Sequence, residues 1–299
     1  MAILCSDLHL QARPPVARST EPDWFAAMAY PLDQLRTMAD KYDVPVVVAG
    51  DIFDRWNSPP AVINFALKHL PDCYAVPGQH DLPDHRYEDI ERSAYWTLVE
   101  AGKVTNLEPG EPFVVSDGFV LHGFPWGHPV KPVGKDYSAP GWVDLAVVHA
   151  YIWKTGCSYP GAPATARLGA FRKKLEGYTA AVFGDNHKGF LVHGDPCPVL
   201  NAGGFMRRKV DEIEYEPKVG LLYSNGTIER VALETVGEKF IDLTQAAELV
   251  EKVLDMSEFI GGLRRLGGTD ALDFVGALKR FLDDNGISES VRKIILEGE

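Results

Sequence analysis

The chain of 299 residues is poor in cysteine and lacks long hydrophobic runs. Its four cysteines, Cys5, Cys73, Cys157 and Cys197, show no CxxC spacing, so we expect free thiols in a reducing compartment. No apolar stretch approaches the roughly 20 residues that span a bilayer. The N-terminus lacks the basic segment and apolar core of a signal peptide. These absences predict a cytoplasmic protein that does not associate with membranes.

Basic residues are fewer than acidic ones. The chain has 30 Lys and Arg against 42 Asp and Glu, which gives a net charge of −12 at pH 7. This balance argues against a protein that coats nucleic acid through a broad basic surface. It does not exclude a nucleic-acid enzyme, because carboxylates around divalent cations are neutralised when the metals bind. The basic clusters at 172–174 and 207–209 are either solvated surface or contacts to a phosphate backbone.

Short runs of Val, Ile, Leu and Ala predict strands near 2–6, 44–49, 73–77, 118–122, 143–149, 179–183, 189–193, 219–224 and 228–233. Helical patterns at 32–42, 59–70 and 87–101 alternate with the first strands, which is typical of an α/β sheet with helices outside. After residue 189 strand follows strand, which predicts antiparallel additions. The sequence therefore predicts an α/β fold of two packed sheets flanked by helices.

The composition changes near 236–242, and from residue 243 onward apolar residues fall only at helical spacing. This change predicts two domains, a larger α/β domain at 1–238 and a small helical C-terminal domain at 239–299. The second contains no candidate catalytic residue, and a packing or partner-docking role is expected for it.

Residues able to bind metals or transfer protons follow five apolar runs directly: Asp7 and His9, Asp51, then Gln79, His80 and Asp81, then His149, and finally Asp185 and His187. In α/β folds the carboxyl ends of strands converge on one edge, where ligands bind. The repetition predicts a two-metal site that cleaves phosphoesters.

Individual roles follow from side-chain chemistry. Asp51 is expected to bridge two cations. His80 is predicted to be the catalytic general acid, and Asp81 to hold its imidazole and favour its protonated form. Asp54 and Arg55 are expected to orient ligands or contact phosphate, with a plain surface ion pair as the alternative.

The ordered set DLH, GDIFDR, GQHD, VVHA and GDNH resembles the motifs of the calcineurin-like metallophosphoesterase superfamily, over about residues 1–235. The resemblance implies a four-layer α/β/β/α sandwich of two mixed sheets. It also implies two divalent metal ions, with Mn²⁺ usual in the nuclease branch and Mg²⁺ as the alternative. By position, one metal would be held by Asp7, His9, Asp51 and His187, and the other by Asp51, Gln79, His149 and Asp185.

Two residues depart from the family pattern. Gln79 stands where the family has Asn, which keeps the donor but adds a methylene group. Asp185 stands where the family has His, which replaces a neutral nitrogen with an anionic oxygen. The added oxygen favours Mn²⁺ or Mg²⁺ over Zn²⁺.

Within the superfamily, the segment GDIFDRWNSPP and residues 201–233 are similar to the DNA-repair exonuclease branch of SbcD-like nucleases, which work with a coiled-coil ATPase. This likeness implies a DNA substrate, an SbcC-like ATPase partner and a homodimer. Two alternatives stay open. The first is a phosphatase or nucleotide phosphodiesterase that acts on small or protein phosphoesters, because Asp54-Arg55 resembles the GDxVDRG motif of protein Ser/Thr phosphatases. A non-catalytic subunit with a vestigial metal site is the other.

Overall fold

The structure, a computed structural model, describes residues 1–115, 118–133 and 141–241. Met1–Phe240 form one compact unit. The predicted C-terminal helices lie outside the described residues, so the helical domain at 239–299 and the boundary at 238 stay predictions. Among the described helices, none is both long and apolar enough to cross a bilayer.

The described residues contain twelve strands, numbered along the chain as β1 (Ala2–Cys5), β2 (Val46–Ala49), β3 (Cys73–Val76), β4 (Val104–Asn106), β5 (Pro112–Val115), β6 (Phe119–Phe124), β7 (Val143–His149), β8 (Ala180–Gly184), β9 (Phe190–Val192), β10 (Val199–Asn201), β11 (Lys218–Leu222) and β12 (Ile228–Ala232). The α-helices are α1 (Trp24–Tyr42), α2 (Pro60–His69), α3 (Ala94–Glu100) and α4 (Leu168–Phe171). Short 3₁₀ helices lie at Val16–Arg18, Gln79–Asp81, Pro83–His85, Tyr87–Arg92, Ala164–Ala166, Arg172–Leu175 and Val210–Glu212.

The strands form two mixed sheets. One has the order β12-β11-β1-β2-β3-β4, and the other has the order β5-β6-β7-β8-β10-β9. The strands β1 to β4 are parallel, and β11 and β12 extend that sheet in antiparallel fashion. In the second sheet β6, β7, β8 and β10 are parallel, while β5 and β9 are antiparallel edge strands. The predicted antiparallel additions after residue 189 are thus β9, β11 and β12.

The two sheets pack face to face, and helices cover their outer faces. Side chains of a strand alternate between faces. In β1, Ala2 and Leu4 enter the core between the sheets, whereas Ile3 and Cys5 enter the core shared with α1, α2 and α3. On the outer face of the second sheet, Val148 of β7 packs in a third core with Leu168 of α4. The four-layer α/β/β/α sandwich is confirmed.

The helices differ from the prediction in two places. The first begins at Trp24 rather than near residue 32, because Asp23 caps it by accepting the N–H of Ala26 at 3.0 Å. The helix contains Pro31 in its interior, and proline is usually found in the first turn of a helix. The sequence pattern therefore predicted a start near Pro31 and not at Trp24. The helix predicted at 87–101 is divided at Ser93, which caps α3 by accepting the N–H of Trp96.

Strands β4, β5 and β10 were not predicted. They have three, four and three residues, respectively. In β4 (VTN) and β10 (VLN) polar residues end the apolar run after one or two positions, and β5 (PFVV) begins with proline, which is depleted in strands.

Candidate metal centre

The loops that follow β1, β2, β3, β7 and β8 bring the predicted site residues together at one rim. Donor atoms lie within 4.8 Å of one another in three groups: Asp7, His9 and His187; Asp7, Asp51 and His149; and His9, Asp54 and His80. Asp7, His9, Asp51 and His149 are buried, with at most 2 % of their surface exposed. Such a density of buried donors is stable only if the charges are paired or hold cations.

Sharp turns at the strand ends aim these side chains inward. Four of them have positive φ values, which residues other than glycine rarely adopt: 54° at Asp7, 47° at His9, 54° at Asp51 and 81° at Asp185. Strained conformations of this kind cluster at functional sites. The turns are joined to each other, because the N–H of Asp7 donates to the carbonyl oxygen of Gly50 and the N–H of His9 to that of Asp51, both at 3.0 Å.

Two glycines allow this close approach of loops. Gly50 has a φ of +88°, and a Cβ there would overlap the imidazole of His149. A Cβ at Gly78 would overlap the carboxylate of Asp51. Both positions therefore need the absence of a side chain.

The first donor group joins β1 to the loop after β8. The Nε2 atoms of His9 and His187 are 3.1 Å apart, and Oδ1 of Asp7 lies 3.9 Å from each. Two imidazole nitrogens at this distance repel each other unless a proton or a cation lies between them. Nδ1 of His9 is buried and has no hydrogen-bond partner in the described part of the chain.

The second donor group centres on His149. Its Nδ1 faces the carbonyl oxygen of Ala49 at 2.6 Å, and since a carbonyl only accepts, Nδ1 carries the proton. Nε2 then faces Oε1 of Gln79 at 2.7 Å and Oδ2 of Asp51 at 3.4 Å. Metal-binding histidines are usually oriented in this way, with the other ring nitrogen bonded to a carbonyl. The converging acceptors fit a divalent cation.

Asp51 connects the two groups. Its Oδ2 lies 3.8 Å from Nε2 of His9 and 3.4 Å from Nε2 of His149. Its Oδ1 accepts the backbone N–H of His80 at 3.0 Å, which fixes the carboxylate plane. One carboxylate oxygen therefore faces both donor groups, as the predicted bridging role requires.

The electrostatics of the centre favour added positive charge. Burial opposes ionisation of Asp51, but His149, His9 and His80 outweigh it and hold its pKa below the usual value. Burial lowers the pKa of His149, yet Asp51, Asp7 and Asp185 together raise it to about 10. A histidine that would bind a proton so tightly marks a position where a cation is strongly stabilised.

Burial determines the direction of the pKa shift at two other groups, because their neighbours do not fully compensate for it. Burial raises the pKa of Asp7 to about 6, despite the nearby His187 and His149. Burial also lowers the pKa of His9, so this imidazole is neutral and can donate a lone pair. A neutral imidazole is the form that binds metals.

The two residues that depart from the family pattern contact each other. Nε2 of Gln79 donates to Oδ1 of Asp185 at 2.9 Å, while Oε1 of Gln79 faces His149. The backbone N–H of Asp185 donates to Asp7 at 3.1 Å. Asp185 thus lies at the rim, and its carboxylate is joined to the second donor group through Gln79.

His80 is half-buried at the edge of the centre, and its orientation is not the predicted one. Its Nδ1 donates to the carbonyl oxygen of Asp54 at 2.7 Å, which leaves Nε2 as the atom that can hold or transfer a proton. Asp81 was predicted to hold this imidazole, and that prediction is wrong. The carboxylate of Asp81 instead accepts backbone N–H groups of Ile52, Phe53 and Gly78, at 3.2, 2.9 and 3.0 Å.

We expect Asp81→Ala to lower the free energy of unfolding by about 3 kcal/mol or more, because it leaves three buried N–H donors without an acceptor. Urea denaturation followed by circular dichroism measures this loss. Asp40→Ala, at an exposed position of α1, is the matched control and should change stability little. An Asp81→Ala protein as stable as the control would contradict the assigned role.

Arg55 does not lie where it was expected. It is exposed and is not among the residues that line the cleft at the rim. Arg208 lines that cleft instead, and its guanidinium pairs with the carboxylate of Asp54. The ion pair of Asp54 is therefore formed with a residue 154 positions away, and not with its neighbour.

Glu212 was missed by the sequence reasoning. It accepts the backbone N–H groups of Arg208 at 2.6 Å and Lys209 at 3.0 Å, and its Oε1 lies 3.6 Å from Nδ1 of His187. Burial would raise the pKa of Glu212, but these bonds outweigh it and lower the pKa to about 2. The carboxylate thus orients His187 from outside the donor group.

Buried carboxylates and imidazoles meet at the common rim of two facing mixed sheets, in groups that could hold metal ions. The sequence model of the calcineurin-like phosphoesterase family matches residues 2–189, and the chain belongs to this family. Family members typically bind two divalent metals, and the donor groups described above fit such ions. No curated protein sequence matches the chain significantly.

Many solved structures resemble this chain, and three of them illustrate the low sequence identity. The protein TT1561 of Thermus thermophilus is 11 % identical, with 78 % of this chain and 98 % of that chain covered and a TM-score of 0.44. A novel archaeal phosphodiesterase is 12 % identical, with 78 % and 99 % covered and a TM-score of 0.38. A putative 5′-nucleotidase from Staphylococcus aureus is 13 % identical, with 85 % and 58 % covered and a TM-score of 0.45. Such distant similarities carry no conclusion about substrate.

Proposed function

We propose that the protein is a two-metal-dependent DNA nuclease of the SbcD-like exonuclease type. The observation that carries the proposal is the cleft at the rim, which has a volume of about 1010 Å³. Beside the acidic centre, the cleft is lined by the cationic side chains Lys188, Arg208 and Lys209. Asp211 and Glu212 also line the cleft, and Arg208 pairs with Asp54. Three cationic side chains spread over so wide a cleft still suit a substrate with several phosphates better than a single small ester.

The side chains of the centre have separate tasks. Asp7, His9, Asp51 and His187 would hold one cation, and Asp51, Gln79, His149 and Asp185 the other. When bound, the two cations supply positive charge that stabilises the reacting phosphate. His80 would deliver a proton from Nε2 to the leaving oxygen, while the carbonyl oxygen of Asp54 fixes the ring through Nδ1–H.

We propose Mn²⁺ as the usual metal, with Mg²⁺ as the alternative. The residues proposed for the second cation include the amide oxygen of Gln79 and the carboxylate of Asp185, and hard oxygen donors suit these ions. The imidazoles of His9, His149 and His187 suit Mn²⁺ better than Mg²⁺, because Mg²⁺ prefers oxygen ligands.

We expect Arg208→Ala to lower kcat/KM on DNA by about tenfold or more, because a hydrogen bond to a charged group contributes roughly 1.5–3 kcal/mol. The guanidinium faces the cleft beside Asp54, where a non-bridging phosphate oxygen can be bound. Steady-state kinetics on a single-stranded oligonucleotide measures the effect. Arg55→Ala should have little effect, and the reverse ranking of the two variants would restore Arg55 as the phosphate contact.

The proposed function is tested by comparing two activities at saturating Mn²⁺. We expect degradation of linear DNA and little release of phosphate from p-nitrophenyl phosphate. Phosphate release without DNA degradation would instead establish a phosphatase. Neither activity, together with fewer than one bound Mn²⁺ per chain, would show that the site is vestigial.

The likeness to SbcD-like nucleases also supports two proposals about assembly. We propose that the chain forms a homodimer and works with a coiled-coil ATPase of the SbcC type. Light scattering of the purified protein tests the first, and stimulation of DNA degradation by ATP and such an ATPase tests the second. A monomer at micromolar concentration, or no stimulation, would contradict the respective proposal.

A further inference from the structure

Two tyrosines form an aromatic surface inside the cleft, beside the metal centre. Tyr151 lies two residues after His149, and its ring centroid is 5.2 Å from that of Tyr159, at an angle of 53° between the ring planes. Both line the cleft that contains His80 and Asp185. Tyr159 is 51 % exposed, so it is not a core residue.

The loop that carries the two tyrosines is fastened to the metal centre. Asn186, between Asp185 and His187, donates from Nδ2 to the carbonyl oxygens of Ile152 at 2.7 Å and Cys157 at 2.9 Å. Nζ of Lys188 donates to the carbonyl oxygen of Ser158 at 3.0 Å. The backbone of the loop is therefore tied to the segment that carries Asp185 and His187.

The loop is also braced internally. Nε1 of Trp153 donates to the carbonyl oxygen of Pro163 at 2.7 Å, and the guanidinium of Arg167 lies 5.7 Å from the Trp153 ring. The backbone of Trp153 pairs with that of Arg167. A braced loop presents an exposed ring without the entropic loss of ordering it on binding.

We propose that Tyr151 and Tyr159 form a stacking subsite for a nucleobase of the substrate strand, adjacent to the phosphate that is cleaved. The proposal rests on the proposed nuclease function and names what its substrate needs besides phosphate. Aromatic rings combined with a cationic groove are the usual means of binding single-stranded nucleic acid, because every base has a stacking face. Lys188, Arg208 and Lys209 supply the cations in the same cleft.

Two oligonucleotides that differ only in their bases test the subsite. One is a strand of thymidines, and the other has the same length and phosphates but abasic tetrahydrofuran sugars. We expect the wild-type protein with Mn²⁺ to prefer the thymidine strand by about tenfold in kcat/KM, the size expected of a single stacking contact. Tyr159→Ala should bring the ratio of the two kcat/KM values close to one, and Tyr159→Trp should keep the preference.

Binding supplies a second readout that does not depend on turnover. Fluorescence anisotropy of the two strands, each with the same 5′ label, should show the same preference and the same loss in Tyr159→Ala. Tyr42→Ala is the matched control, because Tyr42 is an exposed tyrosine at the end of α1 that does not line the cleft.

The outcomes separate the subsite from the proposed function. Equal binding and cleavage of both strands by the wild-type protein would overturn the stacking subsite and leave the nuclease activity standing. Failure to cleave either strand would overturn the nuclease, and the anisotropy ratio would then decide the subsite alone. A preference that survives in Tyr159→Ala would also overturn the assignment.

Discussion

Replacing His80 with alanine is expected to lower kcat on DNA by about 10²–10⁴-fold, the usual contribution of a general acid. Two bound Mn²⁺ ions per chain should remain. The expectation follows from the ring's orientation, since the bond from Nδ1 to the carbonyl oxygen of Asp54 leaves Nε2 to carry the proton. Single-turnover kinetics and metal analysis of the same preparation measure both quantities.

Metal content is the decisive part of this experiment, because His80 also lies in a donor group with His9 and Asp54. Loss of one Mn²⁺ in the alanine variant would make His80 a metal ligand and remove it as the general acid. His69→Ala is the control, since His69 packs on Phe65 at the end of α2, away from the cleft. It should retain full turnover and both metals.

Asp51→Asn should have the second large effect, the loss of both metals together with an activity loss of at least about a hundredfold. Groups that only orient a metal ligand already contribute roughly 10–100-fold, so a bridging ligand should contribute more. Oδ2 of Asp51 faces both His9 and His149, and the asparagine side chain keeps the shape of the residue but not its charge. Isothermal titration with Mn²⁺ measures the binding.

The matched control for this variant is Asp40→Asn at the exposed position on α1. Circular dichroism should show that both variants are folded. If Asp51→Asn bound two Mn²⁺ ions with unchanged affinity, Asp51 could not be the shared ligand.

The position of the site could be predicted because it depends on local signals. Each candidate residue directly follows an apolar run, and parallel strands place their carboxyl ends at one edge. The approach of Asp7 to Asp51 follows from that rule alone, whereas His149 ends a strand of the other sheet and is brought close by the face-to-face packing of the two sheets. The same dependence on local pattern explains why β4, β5 and β10 were not predicted, since polar residues or a proline weaken the strand pattern there.

The orientation of His80 could not be predicted, because it depends on a backbone carbonyl 26 positions away. A sequence shows which side chains are adjacent but not which backbone carbonyls lie nearby, so the adjacent Asp81 was predicted to be the partner of His80. The structure uses Asp81 to hold the β2 and β3 loops together through backbone N–H groups. A carboxylate that follows a histidine in the sequence is therefore weak evidence that the two side chains are hydrogen-bonded.

The outer residues of the site could not be predicted for a similar reason. Arg55 is next to Asp54 in sequence, but the chain directs it to solvent and brings Arg208 from a distant segment. Glu212 gives no signal in sequence beyond being one acidic residue among many. The contacts of Arg208 with Asp54 and of Glu212 with His187 depend on where the segment after β10 lies relative to the rim. No local sequence pattern predicts that position.

Anomalous diffraction from crystals grown with Mn²⁺ tests the central claim most directly, namely that five loops of two facing sheets hold a pair of cations around one carboxylate. Data collected at the manganese edge should show two peaks, one beside Asp7, His9 and His187 and the other beside Gln79, His149 and Asp185. Asp51 should contact both peaks. A single peak, or two peaks that do not share Asp51, would contradict the two-metal centre.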